Sequence, residues 1–352
     1  MADALASARP AFAVAGRDEP KLDAGLLRLA CGETEAGLAH CEAEFSNWGE
    51  HDGATGFTWF NRRTLDFGRD FVVRIGTTSV FDGRVMALEG RFPALAPPTL
   101  VVRAEDRLQD LRMTRRTRCF ERSSDADILR QIARDHGLTP DVTLSGPTQP
   151  VVTQINQSDL AFARGRALAA DGDLGLEGRT LHAVGRASRS DARLELVHGA
   201  RLRRFEVSAD LAHQRTAVVC TGWDVAGKRS IAAEAGEAAI AAEARGGTSG
   251  PATLRQALGE RKDTVAHTVP FDDGAARGWA EAHLRATARR FLRGRGVADA
   301  DARLHVGRRI DLQGLGPLFS GSYDVVEVCH RFDAAHGLWT EFVVERPWIG
   351  RA

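Results

Sequence analysis

Apolar and polar residues alternate with a period of two along much of the chain. Short segments rich in Val and Phe, bounded by Gly, Asp or Pro, show this pattern at 71–75, 80–88, 99–104, 204–209, 216–223, 323–332 and 340–346. Such alternation is typical of strands with one buried face. Many short strands separated by turns predict antiparallel sheets or barrels.

Three segments instead place apolar residues at helical spacing. The first helix is predicted to begin after Ser124 and to stop at Gly137, and the second to run from Ser158 to Gly172. Serine caps a first helical turn well, and glycine commonly ends a helix. The third helix is predicted from about Gly278 to Arg293, with Phe291 and Leu292 on its apolar side. We expect these apolar faces to pack against sheets.

An internal repeat is the most informative feature. The first copy is Phe81-Asp-Gly83-Arg-Val85, an apolar strand, Arg91-Phe92, a loop and Leu100–Arg103. The second is Phe319-Ser-Gly321-Ser-Tyr323, an apolar strand, Arg331-Phe332, a loop and Phe342–Glu345, and it is two residues longer between its phenylalanines. A weaker echo precedes each copy, a strand ending at Trp48 or Trp223. Chance similarity within one fold class is the alternative, but duplication is favoured.

The sequence therefore predicts an α+β, predominantly β fold with two related antiparallel β-barrel domains, a small α/β domain and an insertion. The first barrel is predicted at 1–104, the α/β domain at 105–203 and the second barrel at 204–348. The insertion, at about 226–302, begins with a low-complexity stretch of Ala, Gly and Glu. Such composition indicates an excursion from the preceding sheet.

Composition narrows the possible functions. The chain has 352 residues, with 47 Lys and Arg balanced by 47 Asp and Glu, so no net field favours nucleic acid binding. No run of about 18 apolar residues predicts a membrane span. The first 16 residues lack the features of a secretory signal and predict a short tail leading into a strand, so we expect assembly in the cytoplasm. The five cysteines are too scattered for a disulfide framework or a zinc site, and the four in strand-like runs, Cys41, Cys119, Cys220 and Cys329, are expected to be buried thiols.

A phosphate-loop pattern is the sharpest apparent chemical motif. Residues 222–229 fit G-x-x-x-x-G-K through Lys228, but Arg229 follows where the pattern requires Ser or Thr, and Ser230 comes one place late. Nucleotide binding is therefore disfavoured. His330 beside Cys329 is interpreted as structural, because neighbours in a strand point to opposite faces. No catalytic, cofactor-binding or metal-ligating residue is assigned.

The C-terminal run 307–346 carries a longer pattern. It reads G-x-x-[IV]-x-[IL]-x-G-x-G, then F-x-G-x-Y, then V-x-x-V-x-H-x-[FI], and ends in a strand with Thr340. This resembles the phage late control gene D family, tail hub proteins that are related to the N-terminal part of the VgrG spike of type VI secretion. Segments 81–93, 123–138 and 156–172 agree in order. The residues that the resemblance marks as structural are Phe81, Gly83, Trp223, Asp224, Gly307, Gly314, Gly316, Phe319, Gly321, Tyr323, His330 and Phe332.

The resemblance implies a non-enzymatic baseplate hub of a contractile phage tail or contractile injection system, without a cofactor. Two similar barrels in each of three chains would offer six similar positions to a sixfold tube and keep threefold symmetry for a spike. Expected partners are two further copies of the chain, the tail tube protein, a spike protein that is separate because the chain stops at Ala352, and tape measure and baseplate proteins. Two alternatives stay open: an enzymatic or nucleotide-binding component of the same machine, and a β-rich cargo- or carbohydrate-binding module.

Overall fold

The computed structural model describes residues 9–35, 38–51, 53–225, 227–266 and 269–351. Most of the predicted N-terminal tail, residues 1–8, lies outside this part, as do Ala226 and Thr268 in the predicted insertion. The helices are α1 (Pro20–Gly25), α2 (Gln109–Arg112), α3 (Asp125–Asp135), α4 (Asp159–Ala169), α5 (Gly250–Leu258), α6 (Asp273–Arg289) and α7 (Gly316–Phe319), with 3-10 turns at Arg186–Ser188, Glu237–Ala239 and Ala241–Glu243.

The strands outnumber the helices. In chain order they are β1 (Ala11–Val14), β2 (Arg17–Asp18), β3 (Leu26–Thr34), β4 (His40–Ser46), β5 (Trp48–His51), β6 (Ala54–Phe57), β7 (Asp70–Ile75), β8 (Thr78–Arg91), β9 (Thr99–Glu105), β10 (Arg115–Ser123), β11 (Thr139–Val142), β12 (Gln149–Ser158), β13 (Gly172–Glu177), β14 (Thr180–Gly185), β15 (Ser190–Val197), β16 (Leu202–Ala209), β17 (Ala217–Asp224), β18 (Arg229–Gly236), β19 (Thr248–Ser249), β20 (Lys262–Val265), β21 (Leu292–Asp299), β22 (Arg308–Gln313), β23 (Gly321–Asp333), β24 (Gly337–Arg346) and β25 (Trp348–Ile349).

Thirteen strands form one main sheet. Its order is β16-β21-β24-β23-β3-β4-β9-β8-β7-β1-β2, and β22 pairs with the first part of β23 and with β15. Among the described strands of this sheet, only β15 and β22 pair in parallel. The prediction of an α+β, predominantly β fold is confirmed, and most of the strands assigned to the two barrels join into this one sheet.

Two hydrophobic cores lie along the main sheet. The first core gathers side chains from β1, β3, β4, β7, β8 and β9, including Phe12, Phe45 and Phe71, which are all buried. The second gathers side chains from β15, β16 and β21–β24, including Tyr323 and Phe342. The strands alternate buried and half-buried positions as predicted, since one face of the sheet covers the cores.

A separate α/β layer occupies much of the segment between residues 105 and 190. Its core packs α3 and α4 against β10, β12 and the β11-β14-β13 sheet. Both predicted helix starts are confirmed, because the Ser124 hydroxyl accepts a hydrogen bond from the Asp127 amide and the Ser158 hydroxyl accepts one from the Ala161 amide. Each cap satisfies an amide that the first turn leaves free.

Much of the predicted insertion belongs to a second ordered layer. Strands β17, β18 and β20 form a small sheet, and the buried face of α6 packs on it through Ala276, Ala280 and Leu284. The helix begins earlier than predicted, because the Asp272 carboxylate caps the Ala275 amide, and it ends at Arg289. Phe291 and Leu292 therefore lie beyond it. No helix among the described residues is long and apolar enough to cross a membrane.

Strand pairing differs from the predicted domain layout in two places. Strand β17, assigned to the second barrel, pairs with β18 and β20 instead of the main sheet. Strand β21, assigned to the insertion, is a strand of the main sheet and pairs with β16 and β24. The domain boundaries themselves stay a prediction.

Buried arginines tie these layers together. Arg289, at the end of α6, places Nη2 3.0 Å from Asp171 Oδ2 and 2.7 Å from Glu243 Oε1. Arg189 places Nε 2.7 Å from Asp173 Oδ2 and Nη2 3.0 Å from Glu35 Oε2. Both arginine side chains are almost fully buried, so each charge depends on its carboxylate partners.

Candidate assembly interface

The main sheet contains one five-strand arrangement twice. We call β3-β4-β9-β8-β7 the first half and β16-β21-β24-β23-β22 the second half, and within each half the strands pair in this order. Every pairing inside both halves is antiparallel.

The cross-strand registers of the halves correspond residue by residue. In the first half Val85 pairs with Ala104, and in the second Val325 pairs with Val344, so both strands are shifted by 240 positions. The same shift relates the pair Arg91 and Thr99 to the pair Arg331 and Trp339. Strands β3 and β4 also correspond to β16 and β21 with constant shifts, since Leu26 pairs with Phe45 as Leu202 pairs with Ala298.

Two irregularities also recur at the same places. The register shifts between Val85 and Ala87 and between Val325 and Glu327, and again between Leu26 and Arg28 and between Leu202 and Arg204. A bulge is a local feature that regular pairing does not require. Two coincident bulges support the predicted duplication far more strongly than similar strand sequences do.

The structure corrects the alignment of the two copies. Only Arg91-Phe92 and Arg331-Phe332 align as the sequence suggested, because the counterpart of Gly83 is Tyr323 and that of Leu100 is Thr340. The echo at Trp48 and Trp223 is wrong, since β17 is outside the main sheet and the counterpart of β4 is β21. A two-residue slip leaves every side chain on the same face, so periodicity does not detect it.

A single seam joins the two halves within the chain. Strand β23 pairs with β3 from Glu327 opposite Thr34 to Asp333 opposite Arg28. On the core side of the seam, Phe332 is 5% exposed and its partner Leu29 is 3% exposed. The seam is therefore both hydrogen-bonded and filled with apolar side chains.

The residues marked by the family resemblance lie in several places. Phe81 and Gly83 are buried in β8, Trp223 and Asp224 end β17, and His330 and Phe332 are buried in β23. Gly307, Gly314 and Gly316 adopt positive φ in the turns around β22, while Phe319 ends α7 and Gly321 begins β23. The structure thus brings Gly314, Gly316, Phe319, Gly321 and Tyr323 into one corner of the second half.

Tyr323 fixes that corner. Its hydroxyl donates to the Phe319 carbonyl oxygen at 2.7 Å, and burial raises the pKa of the phenol to about 12. The Arg346 guanidinium lies 4.3 Å from the Tyr323 ring centroid and 4.0 Å from that of Trp348. It also donates to the Ser320 carbonyl oxygen at 3.0 Å. These contacts position the turn that contains α7, which is a structural role.

His330 is a buried core side chain. Its Nδ1 lies 2.9 Å from the Thr340 hydroxyl, and burial lowers its pKa to about 4. His305 lies beside it, with ring centroids 6.3 Å apart. Burial opposes the charged form of His305, but the hydrogen bond and charge of Glu33 outweigh this and raise its pKa. The two neighbouring imidazoles therefore respond oppositely to pH.

Replacing His330 by glutamine should change how stability depends on pH. Below the ordinary histidine pKa of 6.5, the unfolded chain binds a proton that the folded wild type binds only near pH 4. Lowering the pH from about 7 to about 5 should therefore reduce the free energy of unfolding of the wild type by about 2 kcal/mol because of this histidine. Urea unfolding at both pH values should show that the difference in the free energy of unfolding between wild type and variant changes by that amount. His305 is present in both proteins, so its opposite contribution cancels, and parallel pH profiles would contradict the assignment.

The apparent phosphate loop is a hairpin turn. Strand β17 runs into β18 with Asp224 paired to Arg229, and the Asp224 carboxylate accepts a hydrogen bond from the Gly227 amide at 2.9 Å. A phosphate loop needs a helix directly behind it, but a strand follows Lys228 here. The lysine itself adopts a φ of 52°. The turn therefore lacks the geometry that would converge amides on a phosphate.

The face of the main sheet away from the cores is lined by charges of both signs. Arg331 lies 2.7 Å from Glu341 across β23 and β24, and Arg103 lies 2.8 Å from Glu42 across β9 and β4. A shallow groove of about 650 Å³ runs along this face at the seam. Among the described residues, no group of three or more His, Cys, Asp or Glu side chains is placed to hold a metal ion. This face is thus a nearly neutral, polar wall.

One known family matches most of the chain. The family model of the Alg8 N-terminal domain matches residues 57–334, from the end of β6 to the end of β23. The chain belongs to the Alg8 N-terminal domain family.

Solved structures share the fold of this Alg8 N-terminal domain protein. The 43 kDa tail protein of prophage MuSo2 from Shewanella oneidensis is 12% identical with a TM-score of 0.72, over 96% of this chain and 98% of that chain. The tail protein from Neisseria meningitidis MC58 is 11% identical with a TM-score of 0.70, over 97% of each chain. No curated protein sequence gives a significant match.

A type VI secretion protein shares the fold as well. The Escherichia coli c3393 protein, a type VI secretion component described as structurally similar to the T4 bacteriophage tail proteins gp27 and gp5, is 12% identical. Its TM-score is 0.57, over 93% of this chain and 76% of that chain. Identity this low shows the shared fold, and the predicted resemblance to tail hub proteins is confirmed at that level.

Sequence reasoning missed several structural residues of this family member. Cys31 and Cys41 lie directly opposite each other in β3 and β4, with sulfur atoms 3.2 Å apart, and burial raises the pKa of the Cys31 thiol. A hairpin assignment for 26–46 would have revealed the pair. Arg346 and Arg289 had no comparable signal, because arginine is abundant throughout the chain and only tertiary contacts distinguish these two.

Proposed function

We propose that this protein is a non-enzymatic structural hub of a contractile tail or contractile injection particle, and that it acts as a homotrimer between tube and spike. The observation that carries the proposal is the repetition of the five-strand half with its registers and bulges. The shared fold of tail proteins supports the same setting.

The physical argument rests on symmetry. Three chains with two similar halves each present six similar positions on a ring, while the parts that differ between halves repeat only three times. The α/β layer and the α6 layer are such differing parts. The six similar halves would meet a sixfold tube protein, and the threefold features would meet a spike protein.

Such a hub must withstand mechanical force, and it does not need to catalyse a reaction. It must stay assembled while a sheath contracts, so each chain needs large interfaces, on the order of 2,000 Å² or more. The polar wall of paired arginines and glutamates would then face the central channel. Pairing of arginines with glutamates leaves such a wall with little net charge, so it would exert little net electrostatic force on what passes through the channel.

Mass measurement in solution tests the proposal. Light scattering coupled to size exclusion should give about 114 kDa, the mass of three chains of 38.1 kDa each. Electron microscopy of the same fraction should show particles with six similar lobes on one face and three on the other. A single species of 38.1 kDa at the highest soluble concentration would overturn the proposal.

A further inference from the structure

Two strand edges of the main sheet have no partner in the described part of the chain. Strand β16 is the last strand at one end of the sheet, and its edge away from β21 is open over Arg204–Ala209. Strand β8 pairs with β7 only as far as Arg84, and Val85 bonds to Gly68 and Arg69. Beyond that point the edge of β8 opposite β9 is open to Arg91.

The two open edges belong to the strands that correspond to the two strands of the internal seam. Strand β8 corresponds to β23 with a constant shift of 240 positions, and β16 corresponds to β3. In the seam, β23 uses the equivalent edge to pair with β3. In each chain, β23 and β3 therefore form one seam, whereas their counterparts β8 and β16 are not paired with each other.

Residues in the internal seam are buried, whereas their counterparts on the open edges are more exposed. Phe332 is 5% exposed in the filled seam, whereas its counterpart Phe92 is 66% exposed. Leu29 is 3% exposed, whereas its counterpart Phe205 is half-buried. Since the backbone registers are the same, the missing element is a neighbouring strand.

The surface beside the open β8 edge is apolar. Phe92 belongs to an aromatic patch with Trp48, Phe57 and Phe60, whose ring centroids are 5.1 to 6.3 Å apart in the neighbouring pairs. All four side chains are at least one third exposed. An exposed aromatic patch next to an unpaired strand edge marks a place where another strand adds to the sheet.

We propose that β8 of one chain pairs antiparallel with β16 of a second copy, in the register of the internal seam. Carrying each position of that seam over to its counterpart places Leu88 opposite Ala209, Glu89 opposite Ser208 and Phe92 opposite Phe205 of the second copy. This deepens the trimeric hub proposed above, since it names the strands that would join its chains.

The same register is chemically consistent at other positions. Arg91 falls opposite Glu206 of the second copy, an opposite-charge pair on the polar wall. Pairing ends naturally at Pro93, which has no amide to donate. The contact is head-to-tail and uses two different edges, so repetition of it closes a ring in which internal and external seams alternate.

Cysteine cross-linking tests the register. Glu89→Cys combined with Ser208→Cys, in a Cys119→Ser background that removes the exposed native thiol, places two thiols directly opposite each other on the polar wall. Oxidation should yield chains linked in twos and threes on a non-reducing gel. The matched control combines Glu89→Cys with Val207→Cys, whose side chains point to opposite faces. Equal cross-linking of both variants, or no cross-linking of the first, would overturn the proposed pairing of β8 with β16.

A second variant tests the aromatic patch. Phe92→Glu should reduce the mass in solution from about 114 kDa to 38.1 kDa without lowering the unfolding temperature of the single chain. Val151→Glu is the matched control, because Val151 is 56% exposed and lies in β12, which pairs with β10 in a separate sheet. A trimer that survives Phe92→Glu, or one that is lost with Val151→Glu as well, would contradict the seam.

The two proposals fail in different ways. A wild-type chain of 38.1 kDa would overturn the trimeric hub. A wild-type trimer without the predicted cross-link would leave the hub standing and overturn only the pairing of β8 with β16.

Discussion

Replacing Arg289 by methionine is expected to lower the free energy of unfolding by about 3 kcal/mol. The guanidinium is almost fully buried and pairs with Asp171 and Glu243, so its removal leaves two carboxylates without their main cation. Methionine keeps much of the apolar stem, and the loss should therefore reflect the missing charge more than a cavity. Urea unfolding followed by circular dichroism measures it.

Arg285 provides the matched control for this prediction. It lies one turn earlier on α6, is 27% exposed, and approaches the same Asp171 at 3.4 Å. Arg285→Met should cost less than about 1 kcal/mol, because a more exposed pair gains less from its charges. Equal losses in the two variants would show that burial of the Arg289 network does not determine its contribution.

Replacing Gly83 by alanine is expected to cost about 3 kcal/mol. A Cβ at this position would lie 2.3 Å from the Glu105 carbonyl oxygen and 2.6 Å from the Phe81 ring. The carbonyl belongs to β9, whose pairing with β8 and β4 on its two sides leaves it no room to move away. Relief of the clash must therefore disturb the first half.

Gly56→Ala separates this clash from a general effect of losing glycine. Gly56 lies in β6 and has no atom within 4 Å of the added Cβ. Its replacement should change stability by less than about 1 kcal/mol and can raise it, since the unfolded chain loses freedom. A comparable loss at Gly56, measured by the same urea titration, would rule out the close approach of β9 as the cause at Gly83.

The sequence predicted local structure well because local structure depends on neighbouring residues. All seven alternating segments are strands, and Ser124 and Ser158 cap the helices predicted after them. The third helix was misplaced because Gly274 and Gly278 make its first turns resemble a loop, although Asp272 caps it. Strand β21 was missed because Gly294 and Gly296 interrupt its apolar pattern.

Strand partners and register could not be predicted in the same way. The duplication was visible at Arg91-Phe92 and Arg331-Phe332, but the remainder of the alignment slipped by two residues, which period-two patterns tolerate. The open edges of β8 and β16 depend on which strands stay unpaired, and that is a property of the whole sheet. The contacts of Arg346 and Arg289 likewise arise between segments far apart in the chain.

The hairpin of β23 and β24 belongs to both cores at once. Phe332 and Leu338 pack into the first core, whereas Tyr323 and Val325 of the same hairpin pack into the second. Neither core can therefore melt while the other keeps this hairpin intact, and heating should unfold both halves in one cooperative transition. Tension applied to one half along the strands is likewise resisted as shear across the whole hydrogen-bonded ladder between β23 and β3.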